Sequence, residues 1–368
     1  MKRLIMLVAL LALPLAVAAC GNDDEDMNGE PVDDGVADTV DDTADDAVDD
    51  PTDDAVDDDA TDDAPAEELR DVTVMLDWTP NTNHLGIFIA NAEGYYEEAG
   101  LSVDIVEPGA GGVEQVIAQG AADFGISVQE AVIPAREQGV PVVSIAAVIE
   151  QNTSSLMALA ETGIEEPADL EGHAYGGFGG ALETELVRTL VECEGGDPDA
   201  VTFTEVGDVD YLVGMERGQY DFVWIFDGWD GIRAQEIEGA DVNFIRFRDY
   251  LDCIPDWYTP LIITSESMIA DEPEVVEAFL AATTEGYEFA IEDPGAAADI
   301  LLEAVPELDE DLVRPSALFL SNEFAFTERQ WGEQQLDIWV EFEAFLREAE
   351  LTETQIDVEE AYTNEFLP

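Results

Sequence analysis

The chain has 368 residues and a formal net charge of −75, from 87 acidic and 12 basic side chains. Such an acidic protein repels nucleic acid and anionic membrane surfaces, which excludes binding to either as a main function. The length allows two domains of ordinary size, and three widely spaced cysteines do not form a zinc motif.

The first twenty residues are typical of an export signal. Met1-Lys2-Arg3 precedes sixteen apolar residues, LIMLVALLALPLAVAA, which are short for a membrane span. The run ends in VAAC, where a small-residue pair before Cys20 resembles the lipobox of bacterial lipoproteins. We predict a signal peptide over 1–19, a lipid on Cys20, and a place in the periplasm or on the outer face of the cytoplasmic membrane. Ordinary cleavage that leaves a free Cys20 is the alternative.

The next segment, residues 20–70, is predicted to be a disordered acidic tether. Positions 21–70 hold 23 acidic residues, one basic residue (Arg70) and no aromatic side chain. Their charges repel, and they offer too little apolar surface to offset the entropy of ordering. An Asp-rich segment could instead bind calcium, but this one lacks the glycine turn and ligand spacing of a calcium loop.

Residues 71–368 form an acidic body with 64 acidic and 9 basic side chains, and no lysine follows Lys2. A cationic partner would explain a local acidic patch, whereas acids spread along the whole body favour a surface adapted to high salt. Self-repulsion should then destabilise the fold at low salt. Cys193 and Cys253 could form a disulfide in an oxidising compartment, but the sequence leaves their pairing open.

The first half of the body alternates strands with helices. The predicted strands are DVTVMLDW (71–78), LSVDIVEP (101–108), residues 124–127 and VPVVSIAAVI (140–149), and the helices between them include 84–100 and 128–139. This alternation predicts an α/β fold with mostly parallel sheets. In such sheets ligands bind beyond the carboxyl ends of the strands.

A second strand–helix unit follows, and residues 266–368 look largely helical and are expected to pack back on the first unit. Two lobes joined by a chain that leaves and returns suit a clamshell binding protein that closes about a hinge. We predict lobe I from 71–160 plus 261–368 and lobe II from 161–260. Each lobe is expected to hold a mixed, mostly parallel sheet flanked by helices.

Several motifs occur in an order that resembles one known family. They are LDWTPNTNHLGIFIANAEGYYEEAGLSVDIVEP, ADFGISVQE, YGGFGG, WIFDGWDGI, WYTPLIIT and AYTNEFLP. Together they cover nearly all of 71–368 and resemble the thiamine-precursor family of substrate-binding proteins, a pyrimidine-binding branch with the periplasmic binding protein type II fold. The resemblance implies capture of a formylaminopyrimidine or hydroxymethylpyrimidine and delivery to the permease of an ABC importer. We expect a monomer without cofactor or metal.

The same resemblance leaves other ligands and one enzyme open. Relatives with this fold bind riboflavin, sulfonates or nitrate. A pyrimidine phosphate synthase with a similar sequence acts on pyridoxal phosphate and uses iron. That enzyme has a tight cluster of cysteines, which this chain lacks, and the GGFGG turn offers no basic group for a phosphate.

A flat aminopyrimidine requires aromatic stacking on its faces and paired donors and acceptors along its amine edge. Trp78, past a strand end, is the first stacking candidate, and Glu130 and Glu183 are the best carboxylates for the edge. Each has a structural alternative: a core Trp, or an acid placed for the helix dipole. The predicted ligand-binding residues are Trp78, Asn81, His84, Gln129, Glu130, Asn152, Tyr175, Gly177, Phe178, Glu183, Trp224, Asp227 and Tyr258.

Overall fold

A computed structural model describes residues 69–109, 111–207, 209–327 and 329–368. The predicted signal peptide, the predicted lipid on Cys20 and the tether up to residue 68 lie outside the described residues.

The first described strand begins one residue before the predicted boundary at 71. Arg70 already belongs to the first strand, where its backbone is paired in register with Leu101. Its guanidinium lies 2.9 Å from Asp123 and 3.0 Å from Glu272. These contacts stabilise Arg70 in its place on the first strand, because a cation that donates to two carboxylates forms strong, charge-assisted hydrogen bonds.

The described residues hold ten strands in two sheets. The strands are β1 (Arg70–Met75), β2 (Leu101–Val106), β3 (Phe124–Ser127), β4 (Val142–Ala147), β5 (Ser154–Leu159), β6 (Ala174–Gly177), β7 (Thr202–Glu205), β8 (Phe222–Phe226), β9 (Val242–Arg246) and β10 (Leu261–Ser265). The orders are β2-β1-β3-β10-β4 and β7-β6-β8-β5-β9. In the first sheet β10 runs antiparallel to its neighbours, and in the second sheet β5 does so. The predicted α/β, two-lobed class with mixed, mostly parallel sheets is confirmed.

Helices flank both sheets. The described α-helices are α1 (Leu85–Ala92), α2 (Tyr95–Glu98), α3 (Val113–Ala118), α4 (Gln129–Glu137), α5 (Ala181–Cys193), α6 (Tyr211–Glu216), α7 (Glu266–Asp271), α8 (Pro273–Glu292), α9 (Pro294–Ala304), α10 (Glu310–Glu323) and α11 (Leu336–Glu348). Two π-helical segments, Asp227–Gly231 and Arg233–Ile237, follow β8. None of the described helices is long and apolar enough to cross a membrane.

The predicted helix over 84–100 is two helices. Gly94 separates them with a backbone φ of 81°, a left-handed conformation that ends an α-helix and that glycine adopts without steric cost. Six residues of α1 are buried, from Leu85 to Ala90, because α1 is packed between the first sheet and the helices of the tail.

The chain passes between the sheets twice, after β4 and before β10. Strand β5 pairs with β8 and β9, so residues 154–159 belong to the second sheet, although the predicted lobe boundary lies at 160. The buried sequence SSLMAL carries no signal for which sheet it joins, since a strand with two buried faces fits either. The two passages lie side by side: the Val148 N–H donates to the Pro260 carbonyl at 3.1 Å, and the Asn152 N–H donates to Asp256 Oδ1 at 3.1 Å.

Helices of the tail pack on the first sheet and on α1. Helix α8 crosses α1 at a glycine contact, where a Cβ on Gly286 would lie 2.0 Å from the Gly86 carbonyl oxygen. Tyr287, next in α8, is fully buried and stacks on Trp331 with ring centroids 4.2 Å apart. In the second lobe, Cys193 at the end of α5 forms a disulfide with Cys253, with their Cα atoms 5.7 Å apart.

Candidate functional site

A cavity of about 790 Å³ lies where the carboxyl ends of strands from both sheets meet. Residues just beyond β1, β3, β6 and β8 line it, which is where open α/β sheets bind ligands. Eight of the thirteen predicted ligand-binding residues line the cavity: Trp78, Asn81, Glu130, Tyr175, Gly177, Phe178, Glu183 and Trp224.

The turn after β1 contributes one aromatic ring and one carboxylate to the wall. The Trp78 side chain is 46% exposed, and Asp77 lines the cavity beside it. Asn81 caps the short helical turn that follows, with its Oδ1 accepting from the Asn83 N–H at 2.9 Å. The sequence Trp-Thr-Pro-Asn thus turns the chain sharply while leaving the indole ring in the cleft.

His84 supports the cavity from behind and does not line it, contrary to the prediction. It is fully buried, and its Nδ1 accepts from the Asn81 N–H at 3.2 Å. The proton is therefore on Nε2, which donates to Asp77 Oδ1 at 2.8 Å. His84 fixes the carboxylate of Asp77 in place.

Glu130, in the first turn of α4, places a carboxyl group on the wall. Its Oε2 is shielded from solvent and has no hydrogen-bond partner among the described residues. Burial, with smaller contributions from the Asp77 and Glu114 carboxylates, raises the pKa of Glu130 to about 8, against hydrogen bonding to the backbone and to the Trp257 indole.

The glycine-rich turn after β6 brings Phe178 and Glu183 to the cavity. The Phe178 ring is 59% exposed. Glu183 accepts from the Tyr175 hydroxyl at 2.8 Å and from the N–H groups of Phe178 and Gly180 at 3.0 and 3.1 Å. A Cβ on Gly177 would lie 2.0 Å from Glu183 Oε2, so only glycine leaves room for this arrangement. Glu183 is thus occupied as the cap of α5.

The second lobe adds further aromatic rings. Trp224 in β8 lines the cavity and packs edge-on against Phe247 and Trp257, with centroids 5.4 and 6.1 Å apart. Phe226 and Trp229, which are not among the predicted ligand-binding residues, line the cavity at and after the end of β8.

Four more predicted residues lie behind the wall. Gln129 is fully buried, and its Oε1 accepts from the Tyr258 N–H at 2.8 Å. Tyr258 faces the tail, where its hydroxyl accepts from the Gln335 N–H at 2.8 Å. Asn152 Oδ1 accepts from the Ser154 N–H at 2.7 Å. These three satisfy backbone groups near the passages between the sheets.

Asp227 also lies behind the wall. It is 7% exposed, and its Oδ2 lies 3.2 Å from Arg246 Nε. Burial raises the pKa of Asp227, while Ser155, Arg246 and Arg248 oppose the shift. It opens the first π-helical segment and pairs within its own lobe.

The cavity wall is strongly acidic. Asp77, Glu130, Glu183, Asp210, Asp230 and Glu238 line it, and Arg233 is the one Arg or Lys in the described lining. Of these, Asp77 could have been predicted from the sequence, since it directly precedes Trp78 at a strand end. Asp210 and Arg233 carry no local signal that sets them apart from other charged residues. The field of this wall favours a neutral or cationic ligand.

The described residues contain one cluster of side chains close enough to bind a metal ion: Cys193, Glu194 and Cys253. Its two sulfurs are joined in the disulfide, so they are not available as thiolate ligands.

Comparison with known proteins gives three findings. Residues 81–297 match the family model described as NMT1/THI5 like. The formylaminopyrimidine-binding protein of Halalkalibacterium halodurans is 32% identical over 306 residues, which cover 81% of this chain and 91% of that protein. A 4-amino-5-hydroxymethyl-2-methylpyrimidine phosphate synthase of Legionella pneumophila is 24% identical and covers 81% of this chain and 92% of its own length.

Among solved structures, the periplasmic aliphatic sulphonate-binding protein SsuA of Escherichia coli superposes with a TM-score of 0.62 at 13% identity. The match covers 79% of this chain and 91% of that one. At this identity the likeness establishes the binding-protein fold and nothing about the ligand.

Proposed function

The chain belongs to the NMT1/THI5-like family, and on that premise we propose that it is a binding protein for a thiamine-related pyrimidine precursor, of the formylaminopyrimidine or hydroxymethylpyrimidine type. The observation that carries the proposal is a cavity between two lobes whose wall combines exposed aromatic rings with carboxyl groups. That combination complements a ring with flat apolar faces and a polar edge.

Stacking and lobe closure supply the affinity. Trp78 and Phe178 belong to different lobes, and each presents exposed aromatic surface in the cavity. Closure on a flat ring buries this surface, which is worth about 25 cal/mol per Å² of apolar area, and a favourable aromatic contact adds about 0.5–1.5 kcal/mol. Binding therefore stabilises the closed arrangement.

Carboxyl groups of the cavity wall form hydrogen bonds with the amine edge of the ring. Glu183 is occupied by three donors of its own lobe, which leaves Glu130 and Asp77 as the groups able to pair with an exocyclic amine. Asp77 is already oriented by His84, so little side-chain freedom is lost when a ligand binds.

The alternative is a synthase acting on pyridoxal phosphate. The similarity to the phosphate synthase of Legionella pneumophila is the reason to consider it. The residues present do not fit that compound. Pyridoxal phosphate is held by enzymes as a Schiff base with a lysine, and no lysine follows Lys2. Its phosphate would meet six acidic side chains and one arginine in the cavity wall. We therefore favour reversible binding without turnover.

Delivery to the permease of an ABC importer and anchoring through a lipid on Cys20 complete the proposal. The VAAC motif supports the anchor, and the binding-protein fold supports a role in import outside the cytoplasm.

Calorimetric titration of the purified protein in molar potassium chloride tests the ligand. The compounds are formylaminopyrimidine, hydroxymethylpyrimidine, thiamine, riboflavin and pyridoxal phosphate. We expect tight binding of an aminopyrimidine and no heat from pyridoxal phosphate. Silence with both aminopyrimidines and a signal from riboflavin would overturn the proposed ligand.

A further inference from the structure

The carboxyl group of Glu130 is unlike the other acids on the cavity wall. Its Oε2 is shielded from solvent and accepts no hydrogen bond from the described residues, whereas Glu183 accepts three and Asp77 accepts one from His84. A shielded carboxylate oxygen without a hydrogen-bond partner makes the charged form costly, because water and donors compensate its charge only in part.

The groups facing Glu130 do not supply the missing compensation. Asp77, beyond the end of β1, and Glu114 in α3 are both acids, and each opposes a negative charge on Glu130. The backbone at the start of α4 and the Trp257 indole N–H act in the opposite direction but do not outweigh burial. The pKa of Glu130 is about 8 as a result.

Resting on the proposed function, we propose that Glu130 binds the ligand as an uncharged carboxylic acid. Its O–H donates to a ring nitrogen, and its other oxygen accepts from the exocyclic amine on the adjacent carbon. The ligand class is then a neutral heterocycle with an amidine-type edge, a ring nitrogen beside an amine. The rival arrangement is a carboxylate paired with a protonated, cationic ring.

The two arrangements differ in where the proton comes from. An acid that is already protonated at pH 7 binds a neutral ring without exchanging a proton with solvent. Above pH 8 the free protein loses that proton and must recover it on binding, so affinity falls about tenfold from pH 7 to pH 9. A carboxylate that is ionised in the free protein would take up about one proton on binding a neutral ring at pH 7.

Proton uptake is measured directly by calorimetry in buffers of different ionisation enthalpy, with the wild-type protein and hydroxymethylpyrimidine as the probe. We expect less than about 0.2 proton taken up at pH 7 and close to one at pH 9. Uptake of one proton at pH 7 would overturn the inference while leaving the proposed ligand intact. No binding at pH 7 would instead refute the proposed function.

Substitutions at Glu130 give a second test. Glu130→Gln keeps one donor and one acceptor in the geometry of the acid, so affinity at pH 7 should fall less than about tenfold, against about a hundredfold for Glu130→Ala. The affinity of Glu130→Gln should not depend on pH between 7 and 9. A glutamine variant as weak as the alanine variant, or one that keeps the alkaline loss, would contradict the inference.

Two further variants separate the effect of charges near Glu130 from a general effect of removing a negative charge from the protein. Glu97→Gln removes the same charge from an exposed position on α2 and should match the wild type in affinity and proton uptake. Asp77→Asn still accepts from His84 but removes a charge that raises the pKa of Glu130, so the alkaline loss should begin at lower pH. An unchanged onset in Asp77→Asn would count against the neutral acid.

Discussion

Trp78 is the single side chain on which binding should depend most. Replacing it by alanine removes an indole that is half exposed in the cavity and that the proposed ligand would cover, so affinity should fall by at least about tenfold, given about 0.5–1.5 kcal/mol for stacking beyond area burial. Because the indole is not part of the core, the free energy of unfolding should change little. Titration of Trp78→Ala and Trp78→Phe measures this, with most of the affinity retained by phenylalanine. Equal affinities of Trp78→Ala and the wild type would remove Trp78 from the site.

Glu183 should matter for stability more than for the ligand. Glu183→Gln replaces one accepting oxygen by an amide NH₂ that faces N–H and O–H donors, so the free energy of unfolding should fall by about 1–3 kcal/mol. Urea unfolding at constant high salt measures the loss, and Glu192→Gln, at an exposed position on the same helix, is the control. Unchanged stability with a large loss of affinity would instead make Glu183 a ligand contact.

Sequence reasoning placed functional side chains by their distance from a strand end. This was sufficient for Trp78 and Glu130, which reach the cavity wall. It was insufficient for His84, Gln129 and Tyr258, since position along the chain does not tell whether a side chain points into the cleft or back into the lobe. The hydrogen bond between Asp77 and His84 could not be predicted from the sequence, because it depends on the conformation of the turn between them.

At the scale of elements, the contact between α1 and α8 depends on glycine. In Gly286→Ala the new methyl group would lie 2.0 Å from the Gly86 carbonyl oxygen, so the helices must separate, at a cost of about 3 kcal/mol of unfolding free energy. Gly295→Ala is the matched control in α9, where the nearest atom is 3.4 Å away and the change should be neutral or stabilising by less than about 1 kcal/mol. Urea titrations of both variants measure the difference. Equal stabilities would mean that the two helices adjust without cost.

Most elements of the first lobe were predictable because local periodicity decides them. The short strand at 124–127 and the helix from Gln129 to Glu137 agree closely with the sequence reading. Sheet membership was not predictable, since β5 and β10 are buried strands inserted antiparallel among partners distant in the chain. The π-helical segments after β8 were missed for a similar reason, because their hydrogen-bond register has no signature in the residue pattern.

For the whole molecule, charge should govern stability. Residues 71–368 hold 64 acids against 9 bases, so most carboxylates have no cation to pair with. We expect the Tm to rise by about 10 °C between 0.1 and 1 M potassium chloride, since several kcal/mol of self-repulsion is screened in that range. Calorimetric or dichroism melts measure the change. A steady rise continuing linearly to 3 M, or no rise at all, would contradict screening as the cause.

The position of β10 has a consequence for how the protein is made. The five strands of the second sheet, residues 154–246, all leave the ribosome before β10, the strand that joins β3 to β4 in the first sheet. The lobe whose strands are synthesised first is therefore completed last, because β3 and β4 lack the strand that lies between them until β10 is made. If the chain is exported through a membrane channel, as the signal peptide proposed for residues 1–19 would require, this delay favours the unfolded state that such a channel accepts.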